Sequence, residues 1–268
     1  IKSILEKHIY HRGSSLKEIE HVAENIIQDV MQADENIAID LLEREGNLYE
    51  HTLVVTILCI MVAKKMKLTT EQIYRLALGA LLHDLGLRYM TVPYINCDIN
   101  ELSEAEIFEY RKHPILAYSV LEEEDWMDPF VKKIVLVHHE RRDGSGFPLK
   151  QKTRDTECGI LQACDAFDCF ISGMECRRMS IQQALEYLVE GTDIFYDRRI
   201  VRVIERLVAR YPVGTRVRLN TGESGIVLKQ TEISIRPVIG ILDEENRLTE
   251  KIYQLNKNKN VSILQVEN

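Results

Sequence analysis

Residues 81 to 90 read LLHDLGLRYM. An apolar helical pattern runs into this stretch and stops on His83 and Asp84, with Gly86 two residues beyond. Burying an ionisable pair at a helix end is costly unless something satisfies it, so the pair demands a partner. Upstream, the run LVVTILCIMVA from Leu53 to Ala63 lies between His51 and Lys64. It is shorter than the ~20 residues needed to cross a bilayer and reads as a buried helix. The fold that surrounds LLHDLG is therefore helical.

The neighbouring segments extend that reading. Ile19, Val22, Ile26 and Val30 recur at helical spacing and predict one or two amphipathic helices over 15–45, with Gly46 breaking the pattern. A helix is predicted over Leu48–Met66, and Thr70 is the expected cap of another over Glu71–Leu82. Residues 86–102 carry Pro93, Asn96, Asp98 and Asn100 and read as a loop. Ser103 with Glu106 spells a capping box, and that helix stops before Pro114. PFVKKIVLVHHE, starting at Pro129, reads as a helix on which His138 and His139 point roughly 100° apart. RRDGSGFP, 141–148, is a loop of turn formers, and helices are predicted over 156–172, 180–190 and 197–210. From Pro212 onward the pattern changes to alternation, in TRVRLN, SGIVLKQ, SIRPVIGIL and VSILQV. The expected organisation is mainly α: a helical segment over 1–45, a helical domain over 46–211, and a β module of four or five strands over 212–268.

The histidines carry the chemistry. His8, His11 and His21 show no pattern, whereas His51, His83, His113, His138 and His139 fall where helices begin or end. Asp84 and Asp165 join them. One such histidine alone is more simply a core or capping residue, so the weight lies in the set. Imidazole and carboxylate suit divalent iron, manganese, zinc or nickel. Seven ligands exceed what one ion needs and suit two, bridged by a carboxylate. Two ions ~3.5–4 Å apart activate a shared water and clamp a phosphodiester. Asp168, three residues after Asp165 on the same helix face, reads as a supporting residue rather than a ligand.

The net charge of −8 on 268 residues argues against a polymeric nucleic-acid partner held by bulk charge. The six cysteines form no C-x-x-C pair and read as reduced, buried thiols of a cytoplasmic protein. No membrane segment or signal peptide is legible, and a start on Ile1 rather than Met suits a piece of a longer protein. The apolar face over 15–45 suits a second copy as well as its own core. A homodimer and a signalling-protein partner are the expected protein contacts.

The order H…HD…H…HH…D resembles the HD-domain metal-dependent phosphohydrolases, and more narrowly the HD-GYP family of bacterial cyclic di-GMP phosphodiesterases. LLHDLG is similar to that family's LLHDIGK, His113-Pro114 to its HPEIGYEIL, HHERRDGSGFP (138–148) to its HHERWDGSGYP, and GILQACDAFDCFIS (159–172) to its RILAVADVYDALTS. The resemblance spans residues 46–211 and implies an HD helical bundle of HD-GYP type. It implies that His51, His83, Asp84 and Asp165 hold one ion, and Asp84, His113, His138 and His139 a second, with Asp84 bridging as the key catalytic residue. Iron or manganese is expected first, with zinc, nickel or magnesium as further candidates. A glutamate that brings a third ion in some members is Asn47 here, which points to two.

The departures concern substrate. The family's lysine after HDIG is Leu87, its LNKPGKL loop reads INCDINEL, and its SDRPYRKALS reads SGMECRRMS. Arg177, Arg88 and Arg142 are the remaining candidates for phosphate or guanine contact, and the GYP tyrosine is Phe147. The expected function is a metal-dependent phosphodiesterase for cyclic di-GMP, giving the linear dinucleotide or GMP, with weak turnover. The alternatives are a degenerate metal-holding signalling module and an HD hydrolase for another phosphoester.

Overall fold

Helix α3, Leu48–Lys65, follows α1 (Lys2–Tyr10) and α2 (Glu18–Gln32) and buries a broad face that includes His51, Val55, Cys59 and Ala63, with Leu53 exposed on the other side. It is the LVVTILCIMVA run, and no described helix is long and apolar enough to cross a membrane. The computed structural model describes residues 1–10, 15–33, 38–41 and 46–267. Over 15–45 the described helix is α2; residues 34–37 and 42–45, like His11, lie outside the described ones. His21 is exposed and faces Glu24.

The chain forms two compact units, one of residues 1–33 with 44–201 and the other of 34–43 with 202–268. In the first, α3 packs on α4 (Thr70–Leu82) and on α8 (Thr156–Ser172), and α4 packs on α7 (Pro129–Leu136). Helices α5 (Glu104–Tyr110), α6 (His113–Glu122) and α9 (Ile181–Glu190) complete the bundle, and α10 (Arg198–Leu207) crosses from this unit into the next. The core is aliphatic, with Leu58, Ile60, Leu76, Leu81, Leu121, Ile134 and Ile160 below 2% exposure.

Several helix ends differ from the sequence expectation. The cap of α4 is Thr69, not Thr70: its extended backbone leaves its hydroxyl free to accept from Gln72 N–H, and Gln72 returns the bond. Residues 86–102 hold two short 3₁₀ turns, Leu85–Tyr89 and Ile99–Glu101, within the expected loop. Helix α7 ends at Leu136, so His138 and His139 sit in the turn after it rather than on it. The Ser103 capping box is present, its hydroxyl accepting from Glu106 N–H at 3.3 Å while Glu106 accepts from Ser103 N–H at 3.0 Å. Ser103→Ala is expected to cost about 1 kcal/mol of stability, measured by urea unfolding.

The second unit holds an antiparallel sheet in the order β4-β3-β2-β1-β5. Its strands are β1 (Arg216–Leu219), β2 (Ser224–Lys229), β3 (Val238–Leu242), β4 (Leu248–Gln254) and β5 (Ile263–Glu267). Val217, Leu219, Val227, Ile239 and Ile241 alternate inward over its own small core.

Candidate metal centre

Three helix ends aim three imidazoles by one device. His83 caps α4, His113 opens α6 and His138 follows α7. Their Nδ1 atoms lie 2.7, 2.9 and 2.6 Å from the carbonyl oxygens of Ala80, Tyr110 and Val135, each three residues back. A carbonyl only accepts, so each Nδ1 carries a proton and each Nε2 presents its lone pair. On the first turn of α3, His51 Nδ1 is 2.7 Å from Asp168 Oδ2, which orients a fourth imidazole the same way.

All four Nε2 atoms converge. His51 and His83 meet at 3.3 Å, and His113 and His138 at 3.1 Å. Two lone pairs at such distances repel unless a cation lies between them. Asp84 sits between the two pairs. Its Oδ2 is 3.4 and 3.3 Å from His51 and His83, and its Oδ1 is 3.6 Å from both His113 and His138. The residue is 3% exposed, and neither carboxylate oxygen has a hydrogen-bond partner. From α8, Asp165 brings Oδ1 to 3.1 Å from His51 and 3.5 Å from His83.

The protonation preferences follow from this crowding. Burial alone would push the His51 imidazolium down, but hydrogen bonds to Asp165 and Asp168 outweigh it and lift it to about 10. Burial and the nearby His139 hold His113 and His138 below the ordinary histidine value. Burial would raise Asp84, yet the surrounding imidazoles, His83 foremost, hold it well below the carboxylate range. The centre is built to keep positive charge near Asp84.

These donors suit a metal. His51 and His83 Nε2 lie 3.3 Å apart, and each is 3.1 to 3.5 Å from Asp84 Oδ2 and from Asp165 Oδ1, separations that ligands about 2 Å from one ion would have. Asp84 forms a second donor group with His113, His138 and His139. The ring of His139 stacks on Phe147 at 4.5 Å, and its Nε2 lies 3.5 Å from both Glu175 Oε1 and the Tyr110 hydroxyl. Asn47 is committed elsewhere, capping α3 by accepting from the N–H groups of Tyr49 and Glu50. Because Asp168 fixes the His51 ring, Asp168→Ala is expected to weaken metal affinity about 10- to 100-fold, as read by metal titration.

The turn after His83 fits tightly over α6. A Cβ on Gly86 would lie 1.9 Å from the carbonyl oxygen of His113, so only glycine lets the chain pass.

A cavity of about 290 Å³ opens onto His138, His139 and Asp165. Tyr110, Phe147, Phe170, Tyr187 and Tyr196 contribute aromatic surface, and Arg111 and Arg141 are its arginines, lying over the rings of Phe147 and Phe195. Arg88, Arg142 and Arg177 are not among the lining residues. Arg88 lies over the Tyr49 ring, Arg142 pairs with Asp197 at 3.2 Å, and the exposed Arg177 takes both oxygens of Glu101 at 2.8 Å. Leu87 is 1% exposed in an apolar cluster with Leu48, Tyr110, Cys169 and Met174. Sequence reasoning gave no sign of Glu175, Tyr110 or Arg111: Glu175 lies in a loop without a recognisable pattern, and Tyr110 and Arg111 close α5, whose spacing announces a helix but not which of its residues face the site.

The HD domain family pattern matches residues 22–200, a stretch that contains every donor named above. A cyclic di-GMP phosphodiesterase of Pseudomonas aeruginosa is 30% identical over 185 residues, covering 68% of this chain and 44% of that protein. A cyclic di-GMP phosphodiesterase response regulator of Xanthomonas campestris is 29% identical over 153 residues, covering 54% and 39% respectively. The chain thus spans less than half the length of either of these relatives. Among solved structures, an HDG"Y"P protein from Bdellovibrio bacteriovorus shares the fold, with a TM-score of 0.63 at 20% identity over 75% of this chain and 66% of that one. The helical bundle, its histidine-aspartate cluster at the helix ends and the match through all of them lead to one statement: the chain belongs to the HD-domain family.

Proposed function

We propose that this chain is a metal-dependent phosphodiesterase that opens cyclic di-GMP to the linear dinucleotide or to GMP. The observation that carries the reading is Asp84, a buried carboxylate without hydrogen bonds, set between two pairs of inward-facing imidazole lone pairs. In this reading His51, His83, Asp84 and Asp165 hold one ion and Asp84, His113, His138 and His139 the other, iron or manganese by ligand class. Such a pair, when bound, supplies an activated water and neutralises phosphate charge. Asp84 fixes the spacing of the two positions, with one oxygen toward each. Phosphate recognition falls to Arg111 and Arg141, and base stacking to the aromatic wall. The likeness to two cyclic di-GMP phosphodiesterases supports the same substrate.

The test is elemental analysis of anaerobically purified protein, with chromatography of cyclic di-GMP incubated with Mn²⁺ or Fe²⁺. Bound metal and a linear product support the reading; bound metal with intact dinucleotide overturns it. A hydrolase for another phosphoester is the second reading, favoured by Arg177 being held by Glu101 and by Glu175 adding negative charge beside His139. Cleavage of bis(4-nitrophenyl) phosphate by protein that leaves cyclic di-GMP intact would select it.

Arg111→Ala and Arg141→Ala each remove a charge-assisted contact worth about 1.5–3 kcal/mol. Each is expected to raise KM roughly 10- to 150-fold at unchanged metal content, read from initial rates.

A further inference from the structure

We propose that Cys169 is a sulfur ligand to the ion at His51 and Asp165, an inference that rests on the metal reading above. Helix α8 sets Asp165, Asp168 and Cys169 at i, i+3 and i+4, on one face. The first two already serve the centre, Asp165 facing His51 Nε2 and Asp168 holding His51 Nδ1. Cys169 Sγ lies 3.5 Å from Asp165 Oδ1, and the donor atoms of His51, Asp165 and Cys169 lie within 4.8 Å of one another. Two ligands on one ion stand about 3.5 Å apart when the bonds to sulfur and oxygen are about 2.3 and 2.1 Å long.

A second observation points to the same ion. Asp84 is 3% exposed, has no hydrogen bond, and turns Oδ2 to 3.4 Å from the same His51 Nε2. Cys169 is itself 5% exposed and forms part of the cavity wall. The other buried cysteines, Cys59, Cys158 and Cys164, belong to no such donor group among the described residues. On binding, the thiol proton leaves to solvent and the sulfur coordinates as thiolate. A thiolate in the set favours Fe²⁺, Co²⁺ or Zn²⁺ over Mn²⁺ or Mg²⁺.

The test is Co²⁺ loading of the full chain after chelation, under anaerobic conditions. Wild type is expected to show a near-ultraviolet sulfur-to-cobalt charge-transfer band beside the visible bands of any bound cobalt. Cys169→Ser is expected to lose the first and keep the second, and Cys176→Ser to keep both. Visible bands without the charge-transfer band in wild type, or its survival in Cys169→Ser, would overturn the proposal. Should Cys169→Ser fail to fold, X-ray absorption on wild-type cobalt protein decides, since a shell of nitrogen and oxygen without sulfur overturns it equally. A chain that takes up no cobalt at all sinks the metal reading itself, a distinct outcome.

Discussion

Asp84→Ala is expected to emerge from anaerobic purification without metal and to leave cyclic di-GMP intact. Among the described residues, Asp84 is the one carboxylate within 3.6 Å of all four converging Nε2 atoms. Alanine leaves His51 facing His83, and His113 facing His138, with no anion to favour a cation between them. The bundle has other support in its buried aliphatic side chains, so a folded but empty protein is the predicted product. Chelation separates this from simple unfolding. Wild type should lose about 2.7 kcal/mol for each ion that had stood at roughly 100 times its Kd, and Asp84→Ala should lose nothing. Asp84→Asn should fall between, because its amide oxygen still serves one imidazole pair while its NH₂ donates to the other. Full metal content in Asp84→Ala, by elemental analysis, would refute the bridging role.

Gly86→Ala is expected to be the most damaging single methyl in the bundle. The added carbon would meet backbone, the His113 carbonyl at 1.9 Å for oxygen and 2.7 Å for carbon, and backbone cannot rotate away. Either the turn after His83 or the start of α6 must move. Overpacking of this kind costs about 1–3 kcal/mol and sometimes more, and each kcal/mol lowers the melting temperature by about 2–4 °C in a chain of this size. The same shift displaces His113 from His138, so metal content at the second position should fall together with stability. A variant that melts like wild type and keeps both ions would show that the close approach is not needed.

The bundle and the histidine-aspartate set were legible because both rest on local rules. Ser103 and Glu106 announce a helix start whatever surrounds them, and residues that share a chemistry and fall at helix ends are conspicuous together. The fourth strand, LTEKIYQ, was not singled out because its burial does not alternate cleanly. The cap at Thr69 was missed by one residue because two threonines stand side by side and only backbone direction decides between them. Among the cavity's charged residues, His138, His139 and Asp165 were legible as ligands, whereas Glu175 and Arg111 were not. Arg88, Arg142 and Arg177 are all near the centre in sequence, yet their long side chains turn to Tyr49, Asp197 and Glu101. Arg111 reaches the cavity because α5 ends one residue before it, which no spacing rule announces. Cys169 looked like packing because a thiol among apolar neighbours usually is packing.

The three carbonyl-held imidazoles set what this lineage is free to change. Each ring is fixed by a bond counted three residues back along its own chain. A single insertion or deletion inside any of those short windows would swing the ring away, and no outside substitution could restore it. Segments between the windows carry no such count. INCDINEL (95–102) and SGMECRRMS (172–180) lie in such segments. Length changes are therefore expected to be tolerated between the windows and to abolish the convergence of the rings inside them.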